Sequence, residues 1–206
     1  MHEPMPRPLQ LSQMLIRENG LAQRGFARWV FCPGMLFGSP DKWWGDYGRR
    51  DYPHEGMDFC LFRDGRGRIA RLDEKTRIPA TYAGLVVAMF ADYLGRAVVL
   101  EHPIPDSNTG RLLTFYAHTR PQPNLRVGAT VGEAEVIATI ADTSRSKANI
   151  LPHLHFSLGW ASAEIDYERF EWNTIRSVDI TLLNPLQVLD GSHEVLGHRS
   201  TDCRSL

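Results

Sequence analysis

The 206-residue chain lacks most of the features that place a protein in a class. It has three cysteines, Cys32, Cys60 and Cys203, and no CxxC pair. An odd count at wide, irregular spacing is not a disulfide framework, so isolated thiols are expected, with one bonded pair open to an exported protein. No apolar run approaches the ~20 residues needed to span a bilayer. Charge of one sign is not in excess: 23 Lys and Arg stand against 24 Asp and Glu, a formal net of −1. That balance argues against a strongly electrostatic partner: a nucleic-acid binder usually shows a basic stripe, and this sequence has only short Arg groups. HExxH is absent, and with it a glutamate base of that helical type. There is no repeat of fixed period and no low-complexity tract. The opening MHEPMPRPLQLSQMLIRENG has three early prolines, and it has neither a long apolar stretch nor a small-residue cleavage site. It does not read as a secretory signal, which fits a cytoplasmic chain or a processed one.

What is present reads as a globular β protein. Hydrophobic residues make up 43% and charged residues 23%, enough for one large domain or a domain with extensions. From residue 57 onward, short runs rich in β-branched and aromatic residues follow one another: MDFCLF, GLVVAMF, RAVVLEH, LLTFYAH, EVIATIA and PHLHFSLGW. Such residues suit a pleated surface. Turn signals at Asp64-Gly65, Leu94-Gly95, Asn108-Thr109-Gly110 and Val127-Gly128 separate them. Many short strands with this turn chemistry predict a mostly β, antiparallel sandwich or barrel-like core rather than βαβ units. Before it, helical spacing predicts one short helix over about 10–18. Residues 30–53 read as an aromatic loop whose Trp43, Trp44 and Tyr47 are too apolar to stay solvated, so they pack over the domain or line a cleft. After Trp160 the pattern reads as an insertion and a closing segment, and 190–206 as a polar, mobile tail.

Histidines carry the chemistry. In a strand, residues i and i+2 share a face. His153 and His155 therefore point together, while Leu154 and Phe156 go to the core. Upstream, His54 and Asp58 share a face by their spacing of four, with Gly56 between them arguing for the start of a strand. The same alternation puts Tyr116 and His118 on one face at the end of their strand. His102 precedes Pro103 and reads as structural. His2, His193 and His198 fall in segments expected to be mobile and are set aside. The two clusters offer imidazoles and a carboxylate, donors suited to zinc, with a position left for water.

Taken in order, His54-Glu55-Gly56-Met57-Asp58, Tyr116-Ala117-His118 and His153-Leu154-His155-Phe156 resemble the pattern of the lysostaphin/LytM-type zinc endopeptidases. IPATYAGLVV, GRAVVLEH, LRVGATVGEAEVIATI and LLNPLQVL resemble further stretches of that family, so the likeness covers roughly residues 49–189. It implies a core of the duplicated hybrid motif type and one Zn2+ per chain held by His54, Asp58 and His155. It also implies two active-site histidines, His118 and His153, which divide the proton work in an order the sequence does not assign. The implied reaction is hydrolysis of peptide cross-links of bacterial peptidoglycan by a metal-activated water, in the periplasm or outside the cell. No partner nucleic acid or membrane span is expected. Two departures stand out: ADTSRSKANILP lacks the two glycines expected before HLHF, and PIPDSNTG lengthens a hairpin. Residues 1–48 form an N-terminal extension packing on or over the core, 49–189 the zinc endopeptidase-like β domain, and 190–206 the tail. Arg49 and Arg50 read as solvated charge, with a substrate carboxylate as the alternative. Two other readings stay open: a catalytically silent or latent cell-wall binding module, and a zinc peptidase acting on another peptide.

Overall fold

Alternating apolar runs become strands where that pattern predicts them. The computed structural model describes residues 8–103, 110–197 and 203. Residues 1–7, 104–109, 198–202 and 204–206 lie outside the described residues, and with them His2, His198 and nearly all of the PIPDSNTG departure. The elements are helix α1 (Leu11–Glu18) and strands β1 (Phe26–Phe31), β2 (Met57–Phe59), β3 (Leu61–Asp64), β4 (Ile69–Arg71), β5 (Arg77–Pro79), β6 (Gly84–Ala91), β7 (Arg96–His102), β8 (Gly110–Pro121), β9 (Thr130–Val131), β10 (Val136–Ile140), β11 (Leu154–Ser162), β12 (Ile180–Leu183) and β13 (His193–Val195). No helix among the described residues is long and apolar enough to cross a membrane.

The strands form two sheets. The larger is antiparallel, in the order β12-β11-β8-β7-β6-β9, with β2 added to β11, and β10 to β8 and β5. The smaller has the order β13-β1-β3-β4, parallel only between β1 and β13. The main core takes Trp29 and Phe31 from β1, Phe59 and Phe62 from β2 and β3, and Tyr116, Phe156 and Leu158 from the large sheet. The other face of the large sheet carries Val87, Val99, Leu113 and Phe115, covered by Phe170 and Ile175 from the stretch between β11 and β12. The insertion expected after Trp160 is thus a cover for a sheet face that would otherwise expose an apolar surface.

The ends of the chain are tied together. The N-cap position of α1 is Gln10, which provides no side-chain cap. Asp190 supplies one instead, its two oxygens accepting from Ser12 N at 2.9 Å and Gln13 N at 3.0 Å. A carboxylate there also faces the positive end of the helix. Sequence reading finds no element beyond residue 189, yet β13 pairs with β1. The expectation of three isolated thiols is corrected: Cys32 and Cys203 form a disulfide across 171 residues, and only Cys60 is a free, buried thiol. Pairing of distant cysteines depends on where β1 and the C-terminal segment meet in space, which spacing does not reveal.

Candidate metal centre and its cleft

Strand register brings the two histidine clusters together. β2 pairs with β11 so that Asp58 stands directly opposite His155, and β8 flanks β11 with Ala117 opposite His155. His54 lies in the turn before β2. That turn can dock only because residue 56 is glycine: a Cβ there would meet Phe156 O at 2.3 Å and Ser157 Oγ at 2.5 Å.

Three ligand-type atoms converge. His54 Nε2 lies 3.0 Å from His155 Nδ1 and 3.1 Å from Asp58 Oδ1, and His155 Nδ1 lies 3.0 Å from the same oxygen. The surroundings turn acceptor atoms inward. His54 Nδ1 is 3.1 Å from the Leu36 carbonyl, which can only accept, so Nδ1 carries the proton and Nε2 presents a lone pair. His155 Nε2 is 2.9 Å from Ser157 Oγ. Trp43 Nε1 donates to Asp58 Oδ2 at 2.7 Å, leaving Oδ1 for the centre. All three residues are buried, at 2% exposure each. Lone pairs so close in a dry site repel unless a cation sits among them. Tetrahedral zinc with bonds of ~2.0–2.1 Å would set its ligands about 3.3 Å apart, so the donor set fits that ion in type, number and spacing. Burial works to raise the Asp58 pKa, but the imidazoles of His54, His153 and His155 outweigh it and hold the carboxyl well below its usual range. His54, Asp58 and His155 are the group of described residues able to hold a metal ion.

Two further histidines flank the centre. His153 donates from Nδ1 to Leu151 O at 2.8 Å, and its Nε2 is 3.9 Å from Asp58 Oδ1. Burial is the chief reason its pKa falls to about 3, so it stays neutral. His118 packs on His153 with ring centroids 4.8 Å apart. Its route there corrects the alternation argument. Tyr116 faces the main core and stacks edge-on against Phe156. His118 does not share that face. The β7–β8 register slips between Arg96↔Thr119 and Val98↔Tyr116, placing an extra residue on β8, and His118 takes φ +59°. This bulge re-aims the ring to the His153–His155 side of the sheet. His102 is structural, as expected, with Nε2 2.7 Å from Thr114 Oγ1 and Nδ1 3.0 Å from Ala83 O.

A cleft of about 370 Å³ opens over these groups. Trp172, in a 3-10 turn at Trp172–Arg176, forms part of its wall, stacking on His118 at 5.9 Å and 15° and touching His155 at 5.3 Å. Arg176 pairs with buried Glu55 and lies over Tyr52. Arg50 is not solvated: it donates to Gly34 O at 2.8 Å and Asp41 O at 3.1 Å, stacks over Trp44 at 4.4 Å, and reaches within 3.7 Å of Asp58 Oδ2. Arg49 is largely exposed, 3.8 Å from Asp41. Trp44 borders the cleft, whereas Trp43 lies beneath it at 3% exposure.

Sequence reasoning missed Ser157, Trp43's bond to Asp58, Asp92, Trp172 and Arg176. Ser157 had a signal, since it follows His155 by two and shares its face. The others come from loops whose placement is nonlocal. Trp43→Phe keeps the ring's bulk and deletes the donor to Asp58; we expect zinc affinity to fall ~10–100-fold, measured by competition with a chromophoric chelator.

These features define a buried cluster of three donors able to hold a metal ion, at the edge of an antiparallel sheet with two more histidines beside it. The chain belongs to peptidase family M23, whose family model matches residues 53–167. Trp172 and Arg176 lie beyond the matched stretch. Similar solved structures include Helicobacter pylori Csd3, 19% identical over 84% of this chain and 39% of that one, with a TM-score of 0.42. A zinc-containing peptidase from Vibrio cholerae is 23% identical over 66% of this chain and 35% of its own, TM-score 0.42. Lysostaphin in solution is 22% identical over 69% of this chain and 46% of its own, TM-score 0.42. The chain thus spans less than half the length of each of these three. No curated protein matches it.

Proposed function

We propose that the protein is a zinc-dependent endopeptidase that hydrolyses peptide cross-links of bacterial peptidoglycan. The observation that carries this reading is the convergence of His54 Nε2, Asp58 Oδ1 and His155 Nδ1 beside two histidines that are not part of the triad. In this reading residues 49–189 are the endopeptidase unit, flanked by 1–48 and 190–206. One Zn2+ is held by His54, Asp58 and His155. When bound, zinc would polarise the scissile carbonyl and acidify a water beside it. Three protein donors leave room for that chemistry, whereas a closed structural site would use four.

The remaining work falls to the chain's own residues. His153, neutral and with Nδ1 committed to Leu151 O, has only the Nε2 lone pair to offer, a hydrogen-bond acceptor suited to position the attacking water. His118, beside Asp92, is the group suited to carry a proton and deliver it to the leaving amine. Trp172 walls the cleft beside His118 and His155. The Cys32–Cys203 disulfide is consistent with the periplasm or the cell exterior.

The test joins metal analysis to digestion of purified sacculi. The protein should hold about one zinc per chain and release new peptide ends identifiable by mass spectrometry. A zinc-loaded protein that releases none from sacculi would sink the reading and leave the silent binding module in its place.

A further inference from the structure

We propose that Asp92 is a positioning residue for His118, whose ring orientation and tautomer its carboxylate fixes so that Nε2 is the nitrogen left for the cleft. The kinetic consequence rests on the endopeptidase reading above, while the structural claim stands apart from it.

Asp92 sits in the turn between β6 and β7, and its side chain is fully buried. A buried carboxylate is costly unless donors surround it. Oδ1 accepts from Leu94 N at 2.9 Å and Gly95 N at 2.7 Å, which closes the turn. Those two bonds would suffice for a turn cap. The other oxygen is used differently: Oδ2 accepts from the backbone N–H of His118 at 2.7 Å. The bulge at His118 pulls that N–H off the strand ladder, and Asp92 satisfies it while the residue holds φ +59°. The same carboxylate lies 3.2 Å from His118 Nδ1, at ion-pair distance though bent from ideal hydrogen-bond alignment. Such contacts often tighten only when substrate is bound. Trp172 stacks on the ring's face. One side chain therefore grips both the backbone and the ring of His118, and an indole stops the ring from rotating. Proton placement follows: Nδ1–H faces the carboxylate, so the Nε2 lone pair is free. His153 reaches the same tautomer through a neutral carbonyl, that of Leu151. The two flanking histidines are thus backed by different chemistry, one by an anion and one by an amide.

Asp92→Ser tests this in the full-length, zinc-loaded protein. A serine hydroxyl can still cap the turn at Leu94 and Gly95 but is too short to bridge to His118. In wild type, 15N NMR of the histidine rings should show His118 as the Nδ1–H tautomer; in Asp92→Ser that preference should be lost, with zinc content unchanged. Hydrolysis should drop ~10²-fold in kcat with KM nearly constant, as for a misplaced catalytic group. The Asp92→Ser/His118→Ala double variant should be no slower than His118→Ala alone. Asp92→Ala supplies the same readouts if the serine variant does not fold. An unchanged His118 tautomer, or losses that multiply in the double variant, overturns the proposal. If wild type cleaves no peptidoglycan, the endopeptidase reading fails and the tautomer measurement still decides the role of Asp92.

Discussion

A His155→Ala variant is expected to fold, to purify without zinc and to release no peptidoglycan ends. His155 is the hub of the triad, with its Nδ1 3.0 Å from both His54 Nε2 and Asp58 Oδ1. Removing it leaves two donors, too few for a stable catalytic zinc site. The affinity loss should exceed the ~10–100-fold typical of outer partners such as Trp43. The fold should survive, because the backbone of β11 is held by β2, β8 and β12 and not by this imidazole. Losing one crowded acceptor also relieves repulsion in the metal-free protein. Thermal unfolding with and without added zinc separates the two effects: wild type should gain stability from the ion and the variant should not. Asp58→Ala is expected to lose the metal too, at a greater cost in stability. It strands the Trp43 N–H in a buried site and removes the carboxylate beside Arg50, a penalty of ~1–3 kcal/mol for the orphaned donor. A stoichiometric zinc content in His155→Ala would show that the ion sits elsewhere.

How far the site is legible in the sequence depends on how local each determinant is. His54, Asp58, His153 and His155 sit in short motifs; spacing gives the shared side of His153 and His155, whereas His54 reaches Asp58 through the turn before β2 rather than by strand alternation. The β runs from GLVVAMF to HLHFSLGW become β6, β7, β8, β10 and β11 because alternation is a property of each strand by itself. His118 shows where such reasoning stops. Its residue type and strand are legible, but its face is set by a one-residue slip against β7, and that register is a relation between two strands. The same holds for β13, whose three residues become a strand only beside β1, and for the Cys32–Cys203 bond. Strand β1 itself hides because its first three residues are not buried and only the last three enter the core. Trp172 and Asp92 carry no motif. Their importance comes from the covering segment over the sheet face and from a turn that happens to end beneath His118.

Replacing His118 by alanine should have the opposite signature to His155→Ala: metal kept, hydrolysis lost. His118 contributes no atom to the convergent triad, and its ring centroid is 5.8 Å from that of His155. Zinc content should therefore match wild type. The rate should fall by ~10²–10⁴, the range for removing a positioned acid or base, because the neighbour cannot take over. His153 is confined by its bond to Leu151 O and by Trp43 packed edge-on at 5.1 Å, and burial holds it neutral. With its protonated form disfavoured, it can take a hydrogen bond at Nε2 but is poorly suited to carry a proton. His118 instead faces the Asp92 carboxylate: burial would raise that carboxyl, yet its contacts with His118 hold it at about 2, so an anion stands beside this ring near neutral pH. Steady-state digestion of sacculi alongside elemental analysis measures both quantities in one preparation. Unchanged cleavage by a zinc-replete His118→Ala protein would remove the proton-carrying role from this residue. Loss of metal together with activity would move His118 from catalysis into the metal site, which its bulged backbone and Asp92 partner both argue against.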